Sequence, residues 1–268
     1  MMPELPEVET VLRGLKRKIG GMPICQLDSL YNGTVVYDKD IVQPVFPAVV
    51  NKYERRGKYI ILHLASKNAL IIHLRMTGKL IYTEEDNEEA RHVRALLSLT
   101  GCARVLFNDI RTFGKIIVAP VSKIQNHLPK LGPEPLSEGF DAHYLKQAFL
   151  KKSAPIKNVL LDQSVVAGLG NIYVCEILYR AKVKPETAAN KLTKSKLESI
   201  VRRTKEVLKE AIANNGTSVS DYRQVDDKTG SFQNFLRVYQ KEKCSLGHDI
   251  KRIKQAGRSS FYCPVCQK

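Results

Sequence analysis

The chain has 268 residues, 43% hydrophobic and 26% charged, enough for a sizeable core in one large or two modest domains. No apolar run reaches the ~18 residues that span a bilayer, and acidic Glu4, Glu7 and Glu9 argue against a basic leader, so a cytosolic protein is expected. The net charge of +16 is uneven: residues 141–268 hold 24 basic and 12 acidic side chains, residues 1–140 hold 19 and 15. So basic a second half suggests a polyanionic partner, nucleic acid or an anionic membrane surface, because each phosphate neutralised releases counterions.

In chain order, Val8, Val11, Leu12, Leu15 and Ile19 fall at helical spacing from Glu4 to Ile19, and Gly20-Gly21 ends that helix. From about residue 30 to 120 the texture is strand-like. Residues 57–64 and 69–74 are short apolar runs around a Ser66-Lys67-Asn68 turn, and 105–107 and 116–118 add two more. Their regular spacing predicts a β-sandwich or barrel. Glu84 to Glu89 reads as an acidic surface loop, and Leu131 to Pro135 as a linker. Helices are expected at 143–151, 156–163, 171–180 and 192–213, followed by a polar stretch at 216–231.

Cys25, Cys102 and Cys175 lie among apolar neighbours and are expected in the core. Cys244, Cys263 and Cys266 cluster at the end, which in a cytosolic chain suggests a metal before a disulfide. Cys244-x3-His248 is followed, after fourteen residues, by Cys263-x2-Cys266. Cys263-x2-Cys266 makes a good half-site for tetrahedral zinc, the alternative being a metal-free hairpin.

The start reads Met1-Met2-Pro3-Glu4-Leu5-Pro6-Glu7-Val8-Glu9-Thr10. Its prolines and glutamates can be simple helix-start punctuation. They can also be chemistry. With the methionines gone, Pro3 carries a terminal amine whose reference pKa is about 8, against about 10.4 for lysine, so a useful fraction is unprotonated at neutral pH. Such an amine can attack C1′ of a deoxyribose to form a Schiff base, with Glu4 moving protons on the opened sugar.

The run Pro3 to Thr10 resembles the N-terminal signature of bacterial formamidopyrimidine-DNA glycosylase, and six further stretches from residue 57 to 268 resemble the same family in the same order. The resemblance implies an α+β chain. A β-sandwich with a leading helix would occupy residues 1–130, and a helical domain with a helix–two-turns–helix element 131–235. A terminal β-hairpin zinc finger would occupy 236–268.

It implies a bifunctional glycosylase and abasic-site lyase removing oxidised purines by β,δ-elimination. Pro3 would be the nucleophile, Glu4 the proton donor, Lys58 a lesion-phosphate contact assisting β-elimination, and Arg258 the residue of δ-elimination. Residues 73–78 and 109–114 resemble two loops that enter the duplex. Met76 and Phe113 would fill the gap left by an extruded base, and Arg111 would bond the orphaned partner base. His92, Lys152, Lys157, Asn171 and Tyr239 complete the DNA-contacting set. Lys251, Arg252 and Lys254 would face phosphates, and residues 216–235 would fold over the extruded base. Gly168 and Gly170 would let the turn before Asn171 run tight.

Two features depart from the family pattern. Leu246 stands where a cysteine is expected, leaving His248 as its only nearby replacement, so the resemblance implies one structural Zn2+ held by Cys244, His248, Cys263 and Cys266. Met1-Met2 would keep the Pro3 nitrogen in a peptide bond unless initiation at Met2 and methionine removal expose it. The expected partner is damaged double-stranded DNA, met by a monomer without a membrane, in the bacterial cytoplasm and on the nucleoid. The sister endonuclease VIII type, acting on oxidised pyrimidines, is the near alternative. A catalytically silent DNA binder and an RNA binder are the distant ones.

Overall fold

The computed structural model describes residues 2–85, 91–218, 224–226 and 228–268. The expected acidic loop at 84–89 falls mostly outside these residues. The chain forms two compact units, Met1–Pro129 with Asn214–Ser231, and Lys130–Ala213 with Phe232–Lys268.

In the first unit, helix α1 (Leu5–Ile19) buries Leu5, Val8, Val11, Leu12, Leu15 and Ile19. Lys16, Arg17 and Lys18 lie in its last turn, where cations meet the negative helix end. A Cβ on Gly20 would stand 2.5 Å from the Lys16 carbonyl oxygen, and Gly21 takes φ +84°, so both glycines are required where the chain leaves the helix.

Nine strands follow: β1 (Pro23–Ser29), β2 (Val35–Tyr37), β3 (Ala48–Arg56), β4 (Tyr59–Leu64), β5 (Asn68–His73), β6 (Lys79–Thr83), β7 (Val93–Leu99), β8 (Arg104–Asn108) and β9 (Lys115–Pro120). Their order is β2-β9-β5-β4-β3-β1-β7-β8-β6. Among the described residues only β2 and β9 pair in parallel. Between β3 and β1 the pairing is just Pro23↔Val49 and Ile24↔Ala48, so the sheet folds at that seam. Leu62, Ile72 and Val118 from one half share a core with Leu80, Leu97 and Phe107 from the other, the sandwich arrangement expected. The run at 57–64 yields β4 only from Tyr59, because Gly57, at φ +57°, and Lys58 form the β3–β4 turn.

In the second unit, α2 (Ala142–Phe149), α3 (Ile156–Leu161), α4 (Asn171–Arg180) and α5 (Lys194–Ala213) match the expected helices, with α2, α3 and α5 each two residues shorter at one end and α2 starting one residue earlier. Helix α3 stops early because Asp162 turns to extended backbone. Helix α4 is central, with residues from Ile172 to Tyr179 all buried. The Glu176 carboxylate, inside this core, accepts the amides of Arg237, Val238 and Tyr239, each at 2.9 Å. Strands β10 (Lys251–Gln255) and β11 (Arg258–Tyr262) form the terminal hairpin.

Cys175 is buried as expected, but Cys25 and Cys102 are exposed. The register between β1 and β7 shifts at Cys25, between Ile24 and Gln26, and Cys102 lies in the turn between β7 and β8. Apolar neighbours in sequence do not keep a bulge or a turn inside. Among the described residues no helix is long and apolar enough to cross a membrane.

Candidate active site and duplex-facing loops

Pro3 and Glu4 are both buried. Glu4 is the N-cap of α1 in a reciprocal capping box: its side chain takes the Glu7 amide, and Glu7 Oε2 takes the Glu4 amide at 2.9 Å. Glu7 Oε1 also accepts the Thr217 amide at 2.7 Å. One carboxylate therefore ties the chain start to the segment leading into residues 216–231. At Gly216, φ is +76° and a Cβ would meet Glu7 Oε1 at 2.9 Å, so only glycine fits this approach. The described part of that segment is packed: Val225 is buried, its carbonyl accepts the Tyr82 amide at 2.8 Å, and Gly230 donates to Ser218 Oγ at 2.8 Å. Residues 219–223 and 227 of the expected base-covering loop lie outside the described residues.

Lys58 is 5% exposed, not the solvated strand-start lysine that residue type alone would suggest. Its turn is clamped: Arg55 Nη1 donates to the Gly57 carbonyl at 3.1 Å, while Arg55 Nε pairs with Glu9 of α1 at 3.0 Å. Across the sheet, His73 opposes Tyr59 in edge-on ring contact at 4.5 Å. Burial, with the charges of Arg75 and Lys58, lowers the His73 pKa to about 3. Nδ1 accepts the Arg75 amide at 2.9 Å, so the neutral ring keeps its proton on Nε2.

Met76 and Phe113 are exposed, and exposed Arg111 joins them. Its Nη1 lies 3.2 Å from the Met76 sulfur, and its guanidinium sits 5.2 Å from the Phe113 ring centre. Asp109, buried, sets this geometry. Its Oδ1 accepts the Thr77 hydroxyl and, at 3.2 Å, the Arg111 amide; Oδ2 accepts the Gly114 amide at 2.7 Å. Arg94 Nε holds the Asp109 carbonyl at 2.8 Å, and Arg94 Nη2 lies 3.1 Å from Nδ1 of half-buried His92. Sequence alone gives Arg94 no role, and gives Glu7, His73, Thr77 and Asp109 none beyond membership of the family-like runs. Asp109 alone had a local signal, an aspartate opening a loop that closes at a glycine.

In the second unit, Gly168 takes φ +84° before α4, while Gly170 has ordinary extended backbone. Asn171 opens α4 and donates from Nδ2 to the Ser259 carbonyl at 3.0 Å. Lys157 departs from its expected role as a direct DNA contact. It is fully buried, and its ammonium donates to the same carbonyl at 3.1 Å and to Ser260 Oγ at 2.5 Å. Committed there, it positions β11 instead of facing a phosphate. Tyr239 is likewise buried, its ring packed edge-on to Phe261 at 5.0 Å, so it supports the hairpin from behind. Lys152 is half-buried and lies 3.8 Å from Asp162. Lys251, Arg252, Lys254 and Arg258 are all exposed on the hairpin.

Beside the hairpin, the ligand atoms of Cys244, His248, Cys263 and Cys266 all lie within 4.8 Å of one another. His248 Nδ1 is 3.6 Å from Cys244 Sγ and 3.4 Å from Cys266 Sγ, and the two sulfurs are 4.0 Å apart. A tetrahedron with Zn–S bonds of ~2.3 Å has edges of roughly 3.5–3.8 Å, so the set fits one structural zinc. Leu246 is 70% exposed and no ligand. Burial raises the Cys244 thiol pKa, but hydrogen bonds from the Leu246 and His248 amides, Tyr179 and Cys263 outweigh it and leave the group at about 6, whereas burial and the neighbouring Cys263 and Cys244 push Cys266 up to about 11.

Three family models match the chain: the formamidopyrimidine-DNA glycosylase N-terminal domain over residues 2–116, the formamidopyrimidine-DNA glycosylase H2TH domain over 131–223, and a zinc finger found in FPG and IleRS over 247–268. A formamidopyrimidine-DNA glycosylase of Desulforamulus reducens is 40% identical over 277 residues, covering all of this chain and 99% of the relative. A Lactococcus lactis FPG point mutant, solved with Fapy-dG-containing DNA, is similar at a TM-score of 0.92 and 36% identity, covering 99% of this chain and 100% of that one. A Lactococcus lactis Fpg solved with abasic-site DNA gives 0.90 at 35% identity, covering 99% of each.

Proposed function

The chain belongs to the formamidopyrimidine-DNA glycosylase family, and on that premise we propose that it excises oxidised purines from duplex DNA and then cuts the abasic strand. The observation that carries this reading is the burial of Glu4 and Lys58, at 2% and 5% exposure, in the unit that also buries Pro3. Buried ionisable groups are concentrated at functional sites.

Once Met1 and Met2 are removed, the Pro3 nitrogen attacks C1′ of the extruded nucleotide and the damaged base leaves as the C–N bond breaks. Glu4 supplies the proton that opens the sugar ring, giving a Schiff base on Pro3. Loss of a C2′ proton expels the 3′ phosphate, with Lys58 holding lesion phosphate, and a second elimination assisted by Arg258 expels the 5′ phosphate. Met76 and Phe113 fill the vacated stack, and Arg111 satisfies the unpaired base opposite. Asn171, His92 and Lys152 bind the backbone of the damaged duplex. Cys244, His248, Cys263 and Cys266 would hold zinc, which when bound would cross-link the finger. The functional division is residues 1–130 for catalysis, 131–235 for the helical DNA grip and 236–268 for the finger, working as a monomer in the bacterial cytoplasm.

Borohydride trapping on 8-oxoguanine duplex tests this. The protein beginning at Pro3 should become covalently linked to the strand, with Pro3→Gly as the control for the proline nitrogen. Absence of a covalent adduct from correctly processed protein would leave only a DNA-binding scaffold.

A further inference from the structure

We infer that the second unit carries a docking site for an acidic peptide bearing apolar side chains, at the far end of α4 from the DNA-assigned Asn171. Arg180 ends that helix, about 13 Å along its axis from Asn171. Around it lie two adjoining hollows of about 350 and 330 Å³, which share Arg180, Glu210, Arg237 and Ser245. Their walls hold six cations, Arg180, Lys182, Arg203, Arg237, Lys241 and Lys243, against only Glu206 and Glu210.

The donors outnumber the acceptors. Arg180, with a side chain 5% exposed, gives Nη1 to Glu210 at 2.7 Å, and Arg203 gives Nη1 to Glu206 at 2.6 Å. Each nevertheless keeps a buried Nε with no acceptor among the described residues. Lys243 is paired with Asp249 at 2.6 Å, whereas Arg237 and Lys241 are exposed at the mouth. An incoming carboxylate would meet Arg237 and Lys241 first and draw the inner guanidiniums toward it.

The rim decides between ligands. Phe235 borders one hollow and Leu246 the other, and both are exposed. A phosphate or a DNA backbone would use the cations and ignore these apolar faces. An extended peptide, whose same-side residues repeat about every 7 Å, can set carboxylates on the cations and an apolar side chain against the rim. Cys244 and Cys266 line the hollows as well, so the site needs the metal-loaded finger.

The test is fluorescence anisotropy with the full-length zinc-loaded protein, at about 150 mM salt to screen loose attraction. The probe is a fluorescein-labelled octapeptide alternating aspartate with leucine and phenylalanine. Saturable micromolar binding is expected, weakened at least about ten-fold by the Arg237→Ser/Lys241→Ser double variant and by asparagine in place of aspartate. Borohydride trapping of lesion DNA by that variant should stay unchanged. Should the double variant misfold, Lys241→Ser alone serves, with a loss of about three-fold or more. Absence of saturable binding overturns the inference, as does binding indifferent to the variants. Displacement by undamaged duplex assigns the peptide to the DNA face. Equal binding of octa-aspartate, or full displacement by inorganic phosphate, reduces the site to a simple anion pocket; each of these results also overturns it.

Discussion

Glu7 accepts the amide of Thr217 at 2.7 Å, joining residues 210 apart in sequence. The same carboxylate holds the Glu4 amide, so a defect here should be felt at both ends. Glu7→Gln turns an acceptor oxygen into a donor facing an N–H. We expect a loss of about 1–3 kcal/mol in stability, read by urea denaturation, and slower single-turnover excision with little change in affinity for undamaged duplex.

Asp109→Asn should uncouple the loops at residues 73–78 and 109–114. Asp109 accepts three donors while buried, and asparagine can serve only part of that set. The expected cost is roughly 2–3 kcal/mol. Excision should fall even where the variant stays folded, because Arg111 loses its anchor; Arg111→Ala should cause a comparable drop in excision without the stability loss. Denaturation midpoints and lesion-strand cleavage measured side by side separate the two effects.

His73 makes the first unit acid-sensitive. Its folded pKa is about 3, below the ~6.5 of an unfolded histidine, so between those values the unfolded chain binds the extra proton. Stability from this group is complete above about pH 6.5 and drains as pH falls toward 3. At pH 5 the loss is roughly 2 kcal/mol. Urea midpoints at pH 7 and pH 5 should therefore lie further apart for the parent protein than for His73→Gln; equal separations would refute the assignment.

For the finger, one zinc per chain is expected by atomic absorption, and chelation should release the β10–β11 hairpin and weaken binding to lesion duplex. Cys266→Ser should lose the metal. His248→Cys should keep it, because a thiolate can occupy the same tetrahedral corner. Retention of zinc by Cys266→Ser would remove that residue from the ligand set.

Much of this was legible in the chain itself. The α1 periodicity, the run giving β5 and the helix at 171–180 are local patterns, and local patterns survive folding. The Cys-x2-Cys pair likewise marked half of the metal site at short range, whereas His248 emerged only by comparison with the family pattern. What stayed hidden were side chains whose role depends on distant partners. Lys157 has the residue type of a phosphate contact, yet Ser259 and Ser260 claim its ammonium from about a hundred positions away. Exposure at Cys25 depends on a register shift, which neighbouring residue types do not encode.

The shared hold of Lys157 and Asn171 on the Ser259 carbonyl reaches beyond either residue. The neighbouring Arg258 takes its aim from two helix residues that precede Ser259 by 102 and 88 positions. A chimera receiving residues 236–268 from a homologue would import a competent zinc ligand set, yet its arginine would point well only where the host helices offer the same two donors. Inheritance of this finger is thus conditional on its helical host, and the two should be exchanged as a pair.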